Sequence, residues 1–201
     1  MAGSWNRPRA SRPSVQGMPE LPIIRRLTDS IERASVLDKA VDLDTRVVRA
    51  VAKPKALRQL LHGVPFGHPL HPLMVQVPLG AWISAAVLDT IGGKGNARAA
   101  QTLTGVGIAS AGSASVAGYV DWAELSLEQR RTGWVHQAVN WVGITFFGLS
   151  WWQRRKGNTA AGKALGFVGL TVVGVGGYLG GHLSYRQRAG VGSSDRVPYD
   201  D

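Results

Sequence analysis

The chain has 201 residues, 23 Lys or Arg against 13 Asp or Glu, a net charge of +10 and no cysteine. This length allows one ordinary domain or one small membrane bundle. Without cysteine, the chain cannot form disulfides, thiolate metal sites, a cysteine nucleophile or iron–sulfur ligation of its own. No recognition motif accompanies the positive charge, so we expect no nucleic-acid binding.

The N-terminal third is basic and has no long apolar run. Residues 1–20 contain Arg, Pro, Ser and Gly with little to bury, which predicts a disordered basic tail. Residues 21–69 are predicted to be an amphipathic helical juxtamembrane region, since apolar residues recur at three- and four-residue spacing over 28–51. Pro54 ends this helix, and a short helix through Leu60 follows. Its basic side is typical of a helix at a lipid interface, although a solvated helix packed on a partner stays open.

Four long uncharged windows dominate the rest of the chain. They contain 30, 22, 22 and 22 residues, and each is bounded by charged side chains. At about 1.5 Å per helical residue, such a window of 22 residues spans roughly 33 Å, the thickness of a hydrocarbon core. Backbone polar groups in lipid must be paired internally, so the windows predict helices rather than strands. The predicted spans are 71–91, 99–120, 132–153 and 164–185.

The predicted fold class is an all-α membrane protein, a four-helix transmembrane up-down bundle preceded by an amphipathic N-terminal helical region. Short links between the spans make sequential helices antiparallel neighbours. This transmembrane domain covers 70–186, and residues 187–201 are predicted to be a flexible C-terminal tail. A buried soluble domain is disfavoured, because soluble helices average about 11–12 residues.

The second and fourth spans are rich in small residues. Eleven of the fourteen residues from Gly105 to Gly118 are Gly, Ala or Ser, and the fourth span carries seven glycines. In lipid, small residues let helix backbones approach closely. Tight helix packing is the favoured interpretation, and room for a flat cofactor against the bare backbone is the alternative.

Histidines carry the chemistry that the sequence suggests. The antiparallel topology puts four of them and one carboxylate at the membrane face next to the N-terminal region: His68, His71, His136, His182 and Asp121. Ionisable groups at membrane depth are costly and tend to mark function. Asn140 lies four residues after His136, on the same helix face. Tyr178 lies four residues before His182. The fifth histidine, His62, is expected to play no special part.

Three kinds of site stay open at this face. The first is a b-type haem on imidazoles from facing helices, with His136 and His182 as first choice and His71 in reserve. Arg131 and Arg186 could pair its propionates. The second is a divalent metal, and the third is a polar cluster that holds the bundle together or docks a partner. The candidate cofactor-binding residues are His71, His136, His182, His68, Asn140, Tyr178, Arg131 and Arg186. The candidate metal ligands are His71, His136, His182 and Asp121.

The chain resembles one known family through several ordered motifs: GVPFGHPLHPLMVQVPLGAW followed by LDT, then AGYVDW, WVHQAVN and GGYLGGHLSY. That family is an uncharacterised bacterial four-helix membrane-protein family called domain of unknown function 2231, here in its actinobacterial branch. The resemblance covers roughly residues 25–192 and includes the same four histidines. Its activity is not settled, and some members are fused to a Rieske iron–sulfur domain. This implies electron transfer, with a Rieske-type or other redox protein as partner.

These observations predict a multi-pass protein of the bacterial inner membrane. Its predicted role is a redox or electron-transfer component that binds haem or a metal at one membrane face. The alternative is a non-catalytic scaffold or subunit of a larger complex with no cofactor. No nucleophile–base pair, phosphate loop or zincin motif occurs, which disfavours a hydrolase or a kinase. Both termini are predicted to be cytoplasmic, because the basic N-terminal region outweighs a near-even seven-to-six distribution of basic residues around the spans.

Overall fold

The computed structural model describes residues 21–190, and every regular element in that part is helical. In chain order the helices are α1 (Pro22–Glu32), α2 (Asp38–Val51), α3 (Lys55–Leu61), α4 (His71–Met74), α5 (Gln76–Ile91), α6 (Lys94–Trp122), α7 (Leu127–Arg155) and α8 (Thr159–Gly181). Two short 3₁₀ turns lie at Ser35–Leu37 and Val64–Phe66, and a π turn follows α8 at His182–Arg186. The tail predicted over 1–20, and the part of the C-terminal tail beyond residue 190, lie outside the described residues.

Three segments are long and apolar enough to cross a membrane. They are His71–Ile91, formed by α4 and α5 in succession, Lys94–Trp122 and Thr159–Arg186. Each of them contains or coincides with one of the predicted spans. The helix α7 is 29 residues long, as α6 is. It is less apolar, because the polar residues His136, Gln137 and Asn140 lie within it. Of the four predicted spans, three are therefore supported by length and composition.

The helices α4 to α8 form one bundle with a common apolar core. Its buried side chains come from four different helices: Trp82 of α5, Ala111 of α6, Phe147 of α7 and Val173 of α8. The ring of Trp82 stacks on that of Phe147, with centroids 4.0 Å apart and planes 8° from parallel. All four long helices thus contribute to the same core.

Glycines of α8 let this helix lie directly against α7. At Gly176, an added Cβ would overlap the side-chain amide of Asn140. At Gly180, an added Cβ would lie 3.0 Å from Cε1 of His136. The space next to these two glycines is filled by side chains of the protein itself, which agrees with the packing interpretation at these positions.

The juxtamembrane region is not the single helix that the apolar spacing predicts over 28–51. The helix α1 ends at Glu32 and α2 begins at Asp38, with Ala34 outside the helical conformation (φ −74°, ψ 81°). The guanidinium of Arg131 fills the break, since it donates to the Glu32 carbonyl and to both carboxylate oxygens of Asp38. The apolar spacing misses this break because it continues through both helices and no Gly or Pro interrupts it.

A buried ion pair connects the bundle at the end away from the N-terminal region. The side chains of Asp89 in α5 and Arg154 in α7 are each 3% exposed, and Arg154 donates to both carboxylate oxygens. The ammonium group of Lys163 in α8 donates to the Asp89 carbonyl at 2.8 Å. In the sequence these charges only mark the limits of the spans, so the pair is a feature that the sequence analysis missed.

The substitution Asp89→Asn should destabilise the protein by about 3–5 kcal/mol, because it leaves the buried Arg154 charge without a counter-ion. Thermal unfolding in detergent, followed by circular dichroism, would show this as a lower Tm. The matched control is Asp42→Asn, at an exposed carboxylate of α2, which should leave Tm unchanged. Equal Tm values for the two variants would contradict a stabilising role for the pair.

Candidate functional site

The capping box at the start of α7 sets how far along the helix His136 lies. The Ser126 hydroxyl accepts a hydrogen bond from the Gln129 backbone N–H, and the Gln129 side chain accepts one from the Ser126 N–H. This reciprocal cap begins the helix at Leu127, five residues before the predicted span. His136 therefore lies in the third turn of α7 rather than in the first, as the sequence analysis expected.

The imidazole of His71 is held on the small-residue face of α6. Its Nδ1 donates to the carbonyl of Ala114 at 2.8 Å. The ring lies against Gly118, where an added Cβ would be only 2.7 Å from Nδ1. Because a carbonyl oxygen can only accept, Nδ1 carries a proton, and in the neutral ring Nε2 keeps its lone pair.

The imidazole of His136 is held in the same way on α8. Its Nδ1 donates to the carbonyl of Gly176 at 2.8 Å, so in the neutral ring Nε2 again keeps the lone pair. The amide nitrogen of Asn140 lies 3.2 Å from Nε2 and 3.4 Å from Nδ1, and it donates to the His136 carbonyl at 2.9 Å. These nearly equal distances place the amide beside the ring, because the Nε2 lone pair points away from Nδ1. Asn140 therefore does not occupy the lone-pair direction of Nε2.

His71 and His136 are neighbours whose Nδ1 atoms make the same kind of hydrogen bond. Their ring centroids lie 6.5 Å apart and their planes are at 85°. Two imidazoles on opposite sides of one metal, with each nitrogen about 2.0 Å from it, have centroids about 6 Å apart. Metal-ligating histidines almost always donate their other ring N–H to a carbonyl, a carboxylate or water. The spacing of this pair and its Nδ1 hydrogen bonds are compatible with two ligands of one centre.

His182 belongs to a different cluster, at the junction of α1 with the bundle. Its Nε2 donates to Oε1 of Glu32 at 2.9 Å, and the Gln187 side chain donates to the same oxygen at 2.8 Å and to Thr132 Oγ1 at 3.1 Å. The His182 side chain is 7% exposed, and its Nδ1 is buried without a hydrogen-bond partner among the described residues. The first-choice partner of His136 is therefore bonded to α1 instead.

Asp121 is bonded to the histidine that the sequence analysis set aside. Nδ1 of His62 donates to Oδ1 of Asp121 at 2.7 Å, which connects the end of α3 to the end of α6. The sequence analysis did not predict this contact, which gives His62 a structural role. His68 is exposed, and its Nδ1 lies 3.2 Å from the carbonyl of Pro69.

The predicted metal ligands are consequently divided between separate contacts. Within residues 21–190, no three His, Asp or Glu side chains converge as ligands of one metal ion. The set His71, His136, His182 and Asp121 is not assembled, and a metal on these four residues stays a prediction. Only the pair His71 and His136 comes together.

The other predicted cofactor-binding residues have different surroundings. Arg131 is paired with Asp38, as described above, so its charge already has a carboxylate partner. Tyr178 is 44% exposed on α8, and Arg186 ends the π turn. Both of these side chains also make interactions within the chain.

The hydrogen bond from Arg131 holds the pKa of Asp38 below its usual range. This ion pair is therefore present at neutral pH, and its contribution is lost as the pH falls through that lowered pKa.

The substitution Asp38→Asn should loosen α1 from the bundle, since Arg131 then loses its ionised partner at the break between α1 and α2. Limited digestion of the protein in detergent with trypsin, which cleaves after Arg33 in this break, should proceed faster than in the unmodified chain. The control is again Asp42→Asn, because Asp42 lies on the same helix but is exposed. Identical cleavage rates at Arg33 in both variants would show that the ion pair does not hold α1.

Comparison with protein families gives one match. A family described as "Predicted membrane protein (DUF2231)" matches residues 67–193, which include the whole bundle and both histidines of the pair. The comparisons with curated proteins and with solved structures found no match. The matched family is the one that the sequence motifs resemble.

Proposed function

The chain belongs to the family described as predicted membrane protein (DUF2231), and from that premise we propose that it is a redox component of the membrane. In this proposal His71 and His136 are the ligands of its redox centre. The observation that supports this most directly is the pair itself: two imidazoles 6.5 Å apart, each with Nδ1 on a helix carbonyl. In this proposal the two backbone carbonyls hold Nδ1 of each ring, which leaves the two Nε2 atoms as the ligands of one centre.

A b-type haem is the centre proposed first. Paired imidazoles are common axial ligands of haem, which supplies one-electron transfer, and the axial pair tunes its reduction potential. In this proposal the carbonyls of Ala114 and Gly176 orient the two rings and raise their basicity. Gly118 and Gly180 provide the space in which the rings lie against α6 and α8. A single metal ion on the same two nitrogens is the second form of the proposal.

The proposal includes α7 as a fourth membrane span. The helix contributes Phe147 to the common core and is as long as α6. Its polar residues His136 and Asn140 contact α8 at Gly176 and Gly180, so they lower the hydropathy of the helix without having to face lipid. Four spans put both termini on one side. We place that side, and the histidine pair near it, at the cytoplasmic face of a bacterial inner membrane.

Fusions at each end test this topology in a bacterial host. A fluorescent protein that folds only in the cytoplasm should be active at both the N-terminus and the C-terminus, because an even number of spans returns the chain to its starting side. Alkaline phosphatase, which is active only outside the cytoplasm, should be inactive at both ends. Activity of opposite kinds at the two ends would mean an odd number of spans and would remove α7 from the membrane.

Visible spectroscopy tests the centre. The protein purified in detergent after expression with ample haem should show a Soret band and a sharp α-band on reduction, as six-coordinate bis-imidazole haem does. His71→Ala and His136→Ala should each abolish or shift these bands. His68→Ala is the control, because His68 is exposed and outside the pair. His62→Ala is unsuitable as a control, since it breaks the contact with Asp121.

The contrary outcomes are distinct. A colourless protein would contradict haem binding. Elemental analysis would then measure whether the protein holds a stoichiometric metal, which both His71→Ala and His136→Ala should remove. Loss of the bands in His182→Ala, with His71→Ala unaffected, would move the axial pair to His136 and His182. A protein with neither haem nor metal would contradict the redox proposal altogether.

A second candidate, a scaffold or subunit without a cofactor, is favoured by one group of contacts. Three acid–base pairs join the N-terminal region to the bundle: Arg131–Asp38, His62–Asp121 and His182–Glu32. They would give a fixed polar surface at one membrane face on which a partner could dock. The family resemblance suggests a Rieske-type or other redox protein as the partner that docks on this surface. The same spectra and metal analysis separate this candidate from the first, because it predicts neither haem nor metal.

A further inference from the structure

The helix α2 has two apolar faces, and the bundle covers only one. Val41 and Thr45 are buried against the bundle. On the opposite side an uninterrupted arc of the helix surface carries only apolar residues: Ala40, Leu43, Val47, Ala50 and Val51. The three largest of these are well exposed, at 62% for Leu43, 54% for Val47 and 68% for Val51. We call this arc the outer face of α2.

Contacts hold α2 against the ends of α6 and α7. The indole of Trp134 donates to Oδ2 of Asp44 at 2.9 Å, and Arg49 donates to the carbonyl of Ala123 at 3.0 Å. Ala123 directly follows α6, and Trp134 lies two turns into α7. Tryptophan collects at the boundary between lipid and water. The helix α2 is thus fixed to the ends of two bundle helices at interfacial depth.

Positive charges border the outer face. Lys39 and Arg46 are exposed and lie next to the apolar arc on one side of the helix. Residues 21–62 together carry nine Lys or Arg and five Asp or Glu. A helix with an apolar face and basic residues beside it lies in the membrane interface, where its cations attract anionic lipid.

We propose that the outer face of α2 is a binding surface for anionic phospholipid. Leu43, Val47 and Val51 enter the boundary between headgroups and acyl chains, while Lys39 and Arg46 bind headgroup phosphates. A second copy of the chain on this face would bring a second basic border towards the first, so the charges favour an anionic surface. This inference does not depend on the proposed redox centre, and it holds even if the protein binds neither haem nor metal.

The absence of cysteine from the chain allows a direct test. Val47→Cys on the outer face and Asp42→Cys on the polar side are each labelled with an environment-sensitive fluorophore. The full chain is then reconstituted in vesicles of phosphatidylcholine with or without phosphatidylglycerol, and the acyl chains carry bromine as a quencher. With phosphatidylglycerol, quenching at Val47→Cys should exceed that at Asp42→Cys by on the order of twofold or more. In phosphatidylcholine alone the difference should shrink.

A second variant tests the role of charge. Arg46→Gln, combined with Val47→Cys, should lower the quenching in phosphatidylglycerol vesicles, whereas Arg46→Lys should retain it. Equal quenching at the two labelled positions in both vesicles would overturn the proposal. Shielding of the Val47→Cys label that rises with protein density, without quenching by bromine, would assign the face to a second copy and would also overturn it.

Discussion

Hydrocarbon offers no hydrogen-bond partner, so each polar group between the bundle helices has to find its partner inside the protein. The side chains of the bundle meet this requirement by donating to helix carbonyls. Nδ1 of His71 and of His136 does so, as do the Trp82 indole to Thr104 and the Ser150 hydroxyl to Gly162. Such contacts require the helices to lie very close, which the glycines of α6 and α8 permit. The close packing at glycines and the hydrogen bonds of the buried polar side chains therefore depend on each other. The positions of His71 and His136 follow from both.

The two ends of the bundle satisfy their charges differently. At one end, Asp89 and Arg154 pair with each other and are almost fully buried. At the other end, the charges of the bundle are paired with the N-terminal region, through Asp38, His62 and Glu32. The first end is closed by the bundle itself, whereas the second depends on α1, α2 and α3 being in place. The proposed centre lies towards the second end, where the outer face of α2 is also found.

Sequence patterns were sufficient for the features that repeat along the chain. Uncharged windows located the three segments that are long and apolar enough to cross a membrane, and the motifs around His71, His136 and His182 identified the family. Patterns could not find contacts between residues far apart in sequence: His62 and Asp121 are separated by 59 positions, and His182 and Glu32 by 150. The choice between His71 and His182 as partner of His136 depended on such contacts. The break between α1 and α2 was missed for the same reason, because the residue that fills it, Arg131, lies 93 positions from Asp38.

The pair of imidazoles is the central claim, and electron paramagnetic resonance of the oxidised protein in detergent tests it most directly. The shape of a low-spin ferric spectrum depends on the angle between the two axial rings, and the rings of His71 and His136 stand at 85°. Nearly perpendicular rings predict a strongly anisotropic low-spin signal that both His71→Ala and His136→Ala remove. A rhombic signal typical of parallel rings, a signal that survives in either variant, or no low-spin ferric signal in protein expressed with ample haem would contradict haem ligation by this pair.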